Sequence, residues 1–513
     1  MKVTATVSLD GRSLTLEHLA AVARSGGQVS LDGEARARMQ ATFELNRRLV
    51  ETGVTVYGVT TGVGDSVGVK VGRERARALQ EALIRLNGCG TGPDLPEDQA
   101  RAVVLARANC LAHGHSAVRP LIVERMVALM NSGWVPAIPE QGSIGASGDL
   151  VPSSYIGAVL MGEREVRRDG DVRGAAELWR ELGEEPVRLE PKEGLAILNG
   201  TCFMTGIAAL AVLDAERLAR VADLCTALTC EALTAVGGPF HPFIHEIKPH
   251  PGQSRSAERV RALLDGSRLV VAYDDAVVNE RRVQDSYSVR CAPQCIGALY
   301  DAVDWSRAWV ERELNSANDN PLYDAGEGRV HSGGNFSGFH VALAMDTLKV
   351  AVASTADLID RQFELIVDEK FNAGLTPNLV ARRPADDPEA GVHHGFKSPQ
   401  IALSSLTAEA LGRCMPMTAF SRSTEAHNQD KVSMGAAAAR SARDVIELAE
   451  RCCAIHLLGA CQAADLHGAE LLGAGTRAAY ERVREVSAFV ERDRPLQRDI
   501  LDVVRLIRSG ELA

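Results

Sequence analysis

Apolar side chains recur at helical spacing over much of this chain. Residues 35–52 (EARARMQATFELNRRLVE) place them every three to four positions and stop at Gly53, which predicts an amphipathic helix. The same periodicity returns at 73–87 and from 97 to about 131. Beyond Gly194 the chain is dominated by Ala- and Leu-rich windows at 202–236, 255–265, 294–316, 338–366, 399–413 and 434–463. The last would be about 45 Å long at roughly 1.5 Å per residue, a length suited to a bundle whose seams continue into neighbouring subunits. Strand-like alternation is scarce. The first ten residues alternate and meet Asp10-Gly11, a hairpin signal, after which Thr15 reads as the cap of a helix through LEHLAAVARSG. Arg167 to Asp171 reads as a surface hairpin turn, with a short helix near Leu178. Two stretches follow neither period. VTVYGVTTGVGDSVG (54–68) and VPAIPEQGSIGASGDLVPSS (135–154) are dense in Gly and Ser, and irregular segments of this length inside a compact domain usually carry function.

Composition removes whole classes. With 513 residues, 46% hydrophobic and 24% charged, the chain can bury a sizeable core. A net charge of −11 opposes general nucleic-acid or anionic-membrane binding, which needs a basic face. No signal-peptide core or membrane span stands out, and the eleven cysteines form no C-x-x-C pair, so they read as reduced packing residues of a cytoplasmic protein. Aromatic residues make up only 4%, which draws attention to any Tyr or Phe in a polar loop.

Several motif readings fail on spacing. In Gly142-Ser143-Ile144-Gly145-Ala146-Ser147-Gly148-Asp149, Asp149 stands two residues after Ser147, where a hydrolase elbow needs Gly, and the Gly-Lys-Ser/Thr of a phosphate loop is missing. Gly62, Gly64 and Gly68 are one residue too widely spaced for a dinucleotide fingerprint. His241, His245 and His250 include H-E-x-x-x-H with a proline inside, which cannot set two ligands on one helix face, so no metal is expected and they read as loop and packing residues. What remains at 146–148 is a turn with minimal side chains at both ends and, between them, a serine hydroxyl able to leave as water.

Ala146-Ser147-Gly148-Asp149-Leu150 resembles the signature of the aromatic amino acid ammonia-lyase and aminomutase family. The resemblance extends through Tyr57 to Gly62, Asn199-Gly200-Thr201, Gln284 to Arg290, Asn315 to Pro321, Gly334-Asn335-Phe336 and His427 to Asp430. It implies a mainly α, aspartase-like long helical bundle. A smaller N-terminal α+β domain (1–195) would carry the prosthetic-group loop, followed by the central bundle and C-terminal helical region (196–513). It also implies a 4-methylidene-imidazol-5-one formed autocatalytically from Ala146, Ser147 and Gly148, with neither metal nor nucleotide, and a homotetramer acting on a small aromatic amino acid.

The residue types suit that chemistry. Removing a feebly acidic β-proton and expelling an amine requires an electrophile and a positioned base. By resemblance Tyr57 is the base, and its phenol, with an ordinary pKa near 10, needs neighbouring charge or hydrogen bonds to act near neutrality. Arg290 would hold the substrate carboxylate as a bidentate partner, the alternative being a structural ion pair. Asn199 and Tyr287 would lie near the prosthetic group and amine. Gln284, Asn320 and Asn428 would add polar contacts, and Phe336 would border the pocket. Because the loop must be strained before it cyclises, some of these residues would serve maturation instead of turnover.

The family's ring selector falls at Leu86-Asn87, which matches neither the Ser-His of histidine lyases, the His-Leu of tyrosine lyases nor the Phe-Leu of phenylalanine lyases. Leu86 suits a phenyl ring, whereas Asn87 offers hydrogen bonds to a phenol or imidazole. Gln429 replaces a Glu of histidine lyases, and Lys397 with Glu425 resembles bacterial phenylalanine lyases. The expectation is elimination of ammonia from L-phenylalanine or a similar aromatic amino acid. Tyrosine, histidine, a 2,3-aminomutase outcome and a noncatalytic scaffold remain as alternatives.

Overall fold

The computed structural model describes residues 6–272, 274 and 284–512. It is mainly helical. The chain divides into two compact units whose sequence ranges interleave: residues 1–213, 306–346 and 416–441 form the first, and 214–305, 347–415 and 442–513 the second. The ranges alternate because Cys202–Ala232, Ala292–Leu314, Phe339–Val367 and Gly435–His467, helices of 31, 23, 29 and 33 residues, each contribute residues to both. All four lie within a few residues of the windows that periodicity predicts.

In the first unit, helix Glu97–Ala112 is buried on every side, from Ala100 to Ala112 apart from Arg101. Helices Leu16–Ser25 and Pro120–Asn131 pack against it, the former through Leu16, Leu19, Val22 and Ala23 at helical spacing. The Thr15 hydroxyl accepts from the His18 N–H at 3.1 Å, as a helix cap should. The window at 97–131 splits into two helices, because left-handed residues at Gly114 and Ala117 redirect the chain and Pro120 starts the second.

The expected hairpin at Asp10-Gly11 is replaced by a different pairing. Strand Val7–Leu9 runs parallel to Val29–Leu31 in the register Val7 to Val29, with helix Leu16–Ser25 as the crossover. The Asp10 carboxylate accepts from the N–H groups of Arg12 and Ser13, a side-chain turn that leads the chain towards the helix capped at Thr15 instead of reversing a strand. At Asp169-Gly170, by contrast, both residues have positive φ and join Glu165–Arg168 to Asp171–Gly174 as the predicted hairpin. A further hairpin, Leu322–Asp324 with Arg329–His331, brings donor atoms of Asp324, Glu327 and His331 within 4.8 Å of one another.

In the second unit, Phe363 packs edge-on to Phe396 at 6.3 Å and against His456 at 5.8 Å. Burial drives the His456 pKa down to about 3, so the ring is a neutral core residue. His245 is likewise a packing residue, bonded to the Pro239 carbonyl and to Gln253. Among the described residues no helix is long and apolar enough to cross a membrane. The eleven cysteines are free thiols.

Candidate active site

The first unit holds Ala146, Ser147 and Gly148 in a turn clamped from two directions. On one side Gly148 and Gly200 form a parallel bridge: the Gly200 N–H donates to the Ser147 carbonyl at 3.1 Å, and the Asp149 N–H donates to the Gly200 carbonyl at 2.8 Å. Gly148 has φ +72, and a Cβ there would overlap the Gly200 carbonyl oxygen, so only glycine fits. On the other side the Ser433 and Met434 N–H groups donate to the carbonyls of Gly145 and Ile144, both at 3.1 Å.

Asp149 anchors the turn from below. It is fully buried, accepts from the Ser143 hydroxyl at 2.5 Å and from the Met204 N–H at 2.9 Å, and so satisfies the exposed first turn of helix Cys202–Ala232. Burial pushes its carboxyl up to about 6 against those two donors. Beside the turn, Asn199 is buried and its Oδ1 makes no hydrogen bond among the described residues. Such an orphaned acceptor fits a site built for a polar group.

Tyr57 sits in a looser segment. The Gly64 N–H donates to its hydroxyl at 2.8 Å, while the loop is held underneath by Gln80, which donates to the Gly58 carbonyl and accepts from the Leu195 N–H. Burial raises the phenol above its ordinary value; the Gly64 N–H opposes this and the nearby Glu425 carboxylate adds to it. The lowering that a base near neutrality needs is therefore absent here, first because the phenol is buried and then because the Glu425 carboxylate is negative. Glu425 lies against Gly64, and its own carboxyl is raised, first by burial and then by Asp65.

Glu425, Ala426 and His427 all have left-handed backbones, at φ +52, +51 and +68. This turn returns the chain so that Gln429 pairs with Thr424 and donates from Nε2 to the Ser147 hydroxyl at 3.3 Å. Asn428 is exposed on the same turn. Asn320 is buried, and its side-chain oxygen accepts from the Gly333 N–H at 2.8 Å. It follows Asp319, whose carboxylate pairs with Lys192 at 2.6 Å, both side chains fully buried. Phe336 is half-buried. Leu86 is 73% exposed, and the Asn87 amide donates to the Leu83 carbonyl at its helix end.

The remaining candidates belong to the second unit. Gln284, Asp285 and Arg290 line a cavity of about 540 Å³ with Pro239, His241 and Ile244. The Arg290 guanidinium stacks over the Tyr287 ring at 4.5 Å, its Nε is buried without a hydrogen bond, and it makes no ion pair among the described residues. Its stacking on an exposed aromatic ring and its buried Nε are what the described residues show of this guanidinium. Tyr287 is 71% exposed. Lys397 is exposed at the start of helix Lys397–Gly412.

Several supporting residues escape a motif reading. Lys192 adopts φ +88, unusual for a lysine, just before helix Glu193–Leu198 that leads to Asn199, and its ammonium ties that helix to the Asn320 loop. Arg107 is fully buried, and its Nη1 donates to the Ala196 carbonyl at 3.4 Å. The signal in the sequence is slight: Arg107 stands inside an otherwise apolar run, and Lys192 in a charged connection has none.

A family model described as aromatic amino acid lyase matches residues 14–485. The histidine ammonia-lyase of Sorangium cellulosum (strain So ce56) is 39% identical over 510 residues, spanning 98% of this chain and 97% of that protein. The structure of tyrosine aminomutase from Streptomyces globisporus superposes with a TM-score of 0.94 at 38% identity, covering 99% of this chain and 98% of that one. Phenylalanine aminomutase from Pantoea agglomerans gives 0.93 at 32% identity, covering 98% and 99%. The leaning of the residue pattern towards phenylalanine lyases thus has no counterpart in the sequence relative, which carries the histidine name. With a family model over most of its length and relatives matching from end to end, the chain belongs to the aromatic amino acid lyase family.

Proposed function

We propose that this protein eliminates ammonia from an aromatic L-amino acid to give the 2,3-unsaturated acid, using a methylideneimidazolone made from Ala146, Ser147 and Gly148. The observation that carries the proposal is the clamped turn. Gly148 has room for no side chain, the bonds to Gly200 and to the Ser433 segment pin the turn on both sides, and Asn199 holds an acceptor unused among the described residues beside it. The residues present therefore fit the group, which when formed supplies an electrophile for the substrate amine.

The chain's own side chains have the remaining tasks. Tyr57 Oη takes the β-proton. Because burial and Glu425 hold the phenol up, an added positive charge, from the substrate ammonium or an arginine of another copy, would draw it into range. Arg290, stacked over Tyr287 and lining a cavity with Gln284, takes the substrate carboxylate. Asn199, Asn320, Asn428, Gln429, Glu425, Phe336 and Lys397 complete the polar and apolar lining. Exposed Tyr287, together with exposed Val350, Ile401, Leu411 and Met415 on the second unit, supports a homotetramer whose copies share sites.

An exposed apolar Leu86, and an amide at Gln429 in place of a carboxylate, support a phenyl ring as substrate; the histidine ammonia-lyase relative supports imidazole instead. Incubation with L-Phe, L-Tyr and L-His, with products identified by mass and NMR, decides the ring. The same assay separates lyase from mutase, since a mutase returns a β-amino acid. Intact mass tests the group itself: the purified chain should weigh two water molecules less than its sequence, and an unshifted mass would remove the proposal.

A further inference from the structure

Gln429 is the side chain that touches the serine hydroxyl which has to leave. Its Nε2 donates to Ser147 Oγ at 3.3 Å, while its Oε1 accepts from the Thr424 hydroxyl at 3.3 Å. The backbone fixes it further: Thr424 and Gln429 exchange N–H to carbonyl bonds of 2.9 and 3.2 Å across the three left-handed residues between them. Non-glycine residues are strained in that region, so consecutive ones mark a turn held in place by its surroundings. The same segment continues into Ser433 and Met434, which pin Gly145 and Ile144 ahead of the tripeptide.

We infer that Gln429 is a catalytic residue of prosthetic-group maturation, the donor that assists departure of the Ser147 hydroxyl. The inference rests on the lyase reading above but assigns a step that precedes any turnover. Ring closure comes first: the Gly148 nitrogen bonds to the Ala146 carbonyl carbon, its proton and the Ser147 N–H proton leave with that carbonyl oxygen as one water, and a double bond forms between that carbon and the Ser147 nitrogen. Closure places the Ser147 Cα between the ring carbonyl carbon and the imine nitrogen and so acidifies its C–H. That proton is then lost, the Cβ–Oγ bond breaks with its electron pair on Oγ, and a double bond forms between Cα and Cβ. The departing hydroxide takes up the proton and leaves as the second water, so no oxidant or reductant is required. Gln429 Nε2–H meets the negative charge developing on Oγ, and the Thr424 hydroxyl keeps the amide turned that way.

The test follows maturation in time. Full-length chain is made by cell-free translation, quenched at intervals and digested, and the fragment containing residues 146–148 is weighed. Wild type should lose two waters; if it loses none, the lyase reading fails and the failure is recognisable as such. Gln429→Met keeps the side-chain volume without donors. It should lose the second water at least about tenfold more slowly, the scale of one charge-assisted hydrogen bond, and accumulate a species short of a single water, with an unchanged circular dichroism spectrum. Loss of both waters at the wild-type rate overturns the inference. So does arrest at the unshifted mass in a folded chain, which would mean that Gln429 only shapes the loop. If the methionine variant does not fold, Thr424→Val decides: it leaves Gln429 in place but unsteadied, and should show the same single-water species with a smaller delay, whereas wild-type kinetics would overturn the inference.

Discussion

The loop around Ser147 and the loop around Tyr57 are both glycine-rich segments of the first unit, yet they are built in opposite ways. The Ser147 turn is pinned by backbone bonds to Gly200 and to residues 433–434, with the buried Asp149 beneath it. The Tyr57 loop is anchored at its base by Gln80, but residues 65–70 are exposed and the phenol's bond is to the Gly64 N–H of its own loop. Glycine thus serves two purposes. In the first loop it lets two backbones approach closely, as the proposed cyclisation requires; in the second it leaves an exposed segment, as the proposed base would need to close over a substrate.

The largest effect should come from Gly148→Ala. Its Cβ would meet backbone, which cannot swing aside, at a positive φ, so the chain should keep its unshifted mass and lose all detectable elimination; a matured Ala variant would break the comparison at its root. Tyr57→Phe should come next, lowering kcat by about 10²–10⁴-fold with the mass loss intact, because the second loop plays no part in maturation. Steady-state kinetics beside intact mass checks both halves of that statement.

Gly58→Ala gives the informative middle case. It too has a positive φ, but its Cβ would meet the tip of the Leu195 side chain, which can turn. Full maturation with kcat reduced by roughly tenfold is expected, the cost of one strained residue of about 1–2 kcal/mol; a loss as complete as that of Gly148→Ala would erase the distinction between the loops. The smallest effect is a pH shift. Tyr57 acts only when deprotonated, so kcat/KM should rise with pH through the phenol's raised pKa. Glu425→Gln removes a negative charge that holds the phenol up, and the rising limb should move to lower pH by a fraction of a unit. A limb unmoved, or moved upward, would show that Glu425 does not act on Tyr57.

Much of the fold was legible because long amphipathic helices write their period into the sequence: the four longest helices lie within a few residues of their apolar windows. Asp10-Gly11 misled for a physical reason. Asp-Gly satisfies both a hairpin and a side-chain-capped entry into a helix, and Asn109, nearly a hundred residues away, completes this one by accepting from the Gly11 N–H. Lys192 and Arg107 were illegible because their meaning depends on partners distant in the chain, Asp319 and Ala196.

The sequence by itself determined the helical architecture and the chemical inventory, since periodicity and the Ala-Ser-Gly tripeptide are local properties. Only the tertiary structure decided that Gly200 and Gln429 flank Ser147, and that burial and the Glu425 carboxylate raise Tyr57. The physical reason is distance along the chain: Gly200 lies some fifty residues from Ser147, and Gln429 and Glu425 lie hundreds of residues from Ser147 and Tyr57, so no local window contains both sides of these contacts.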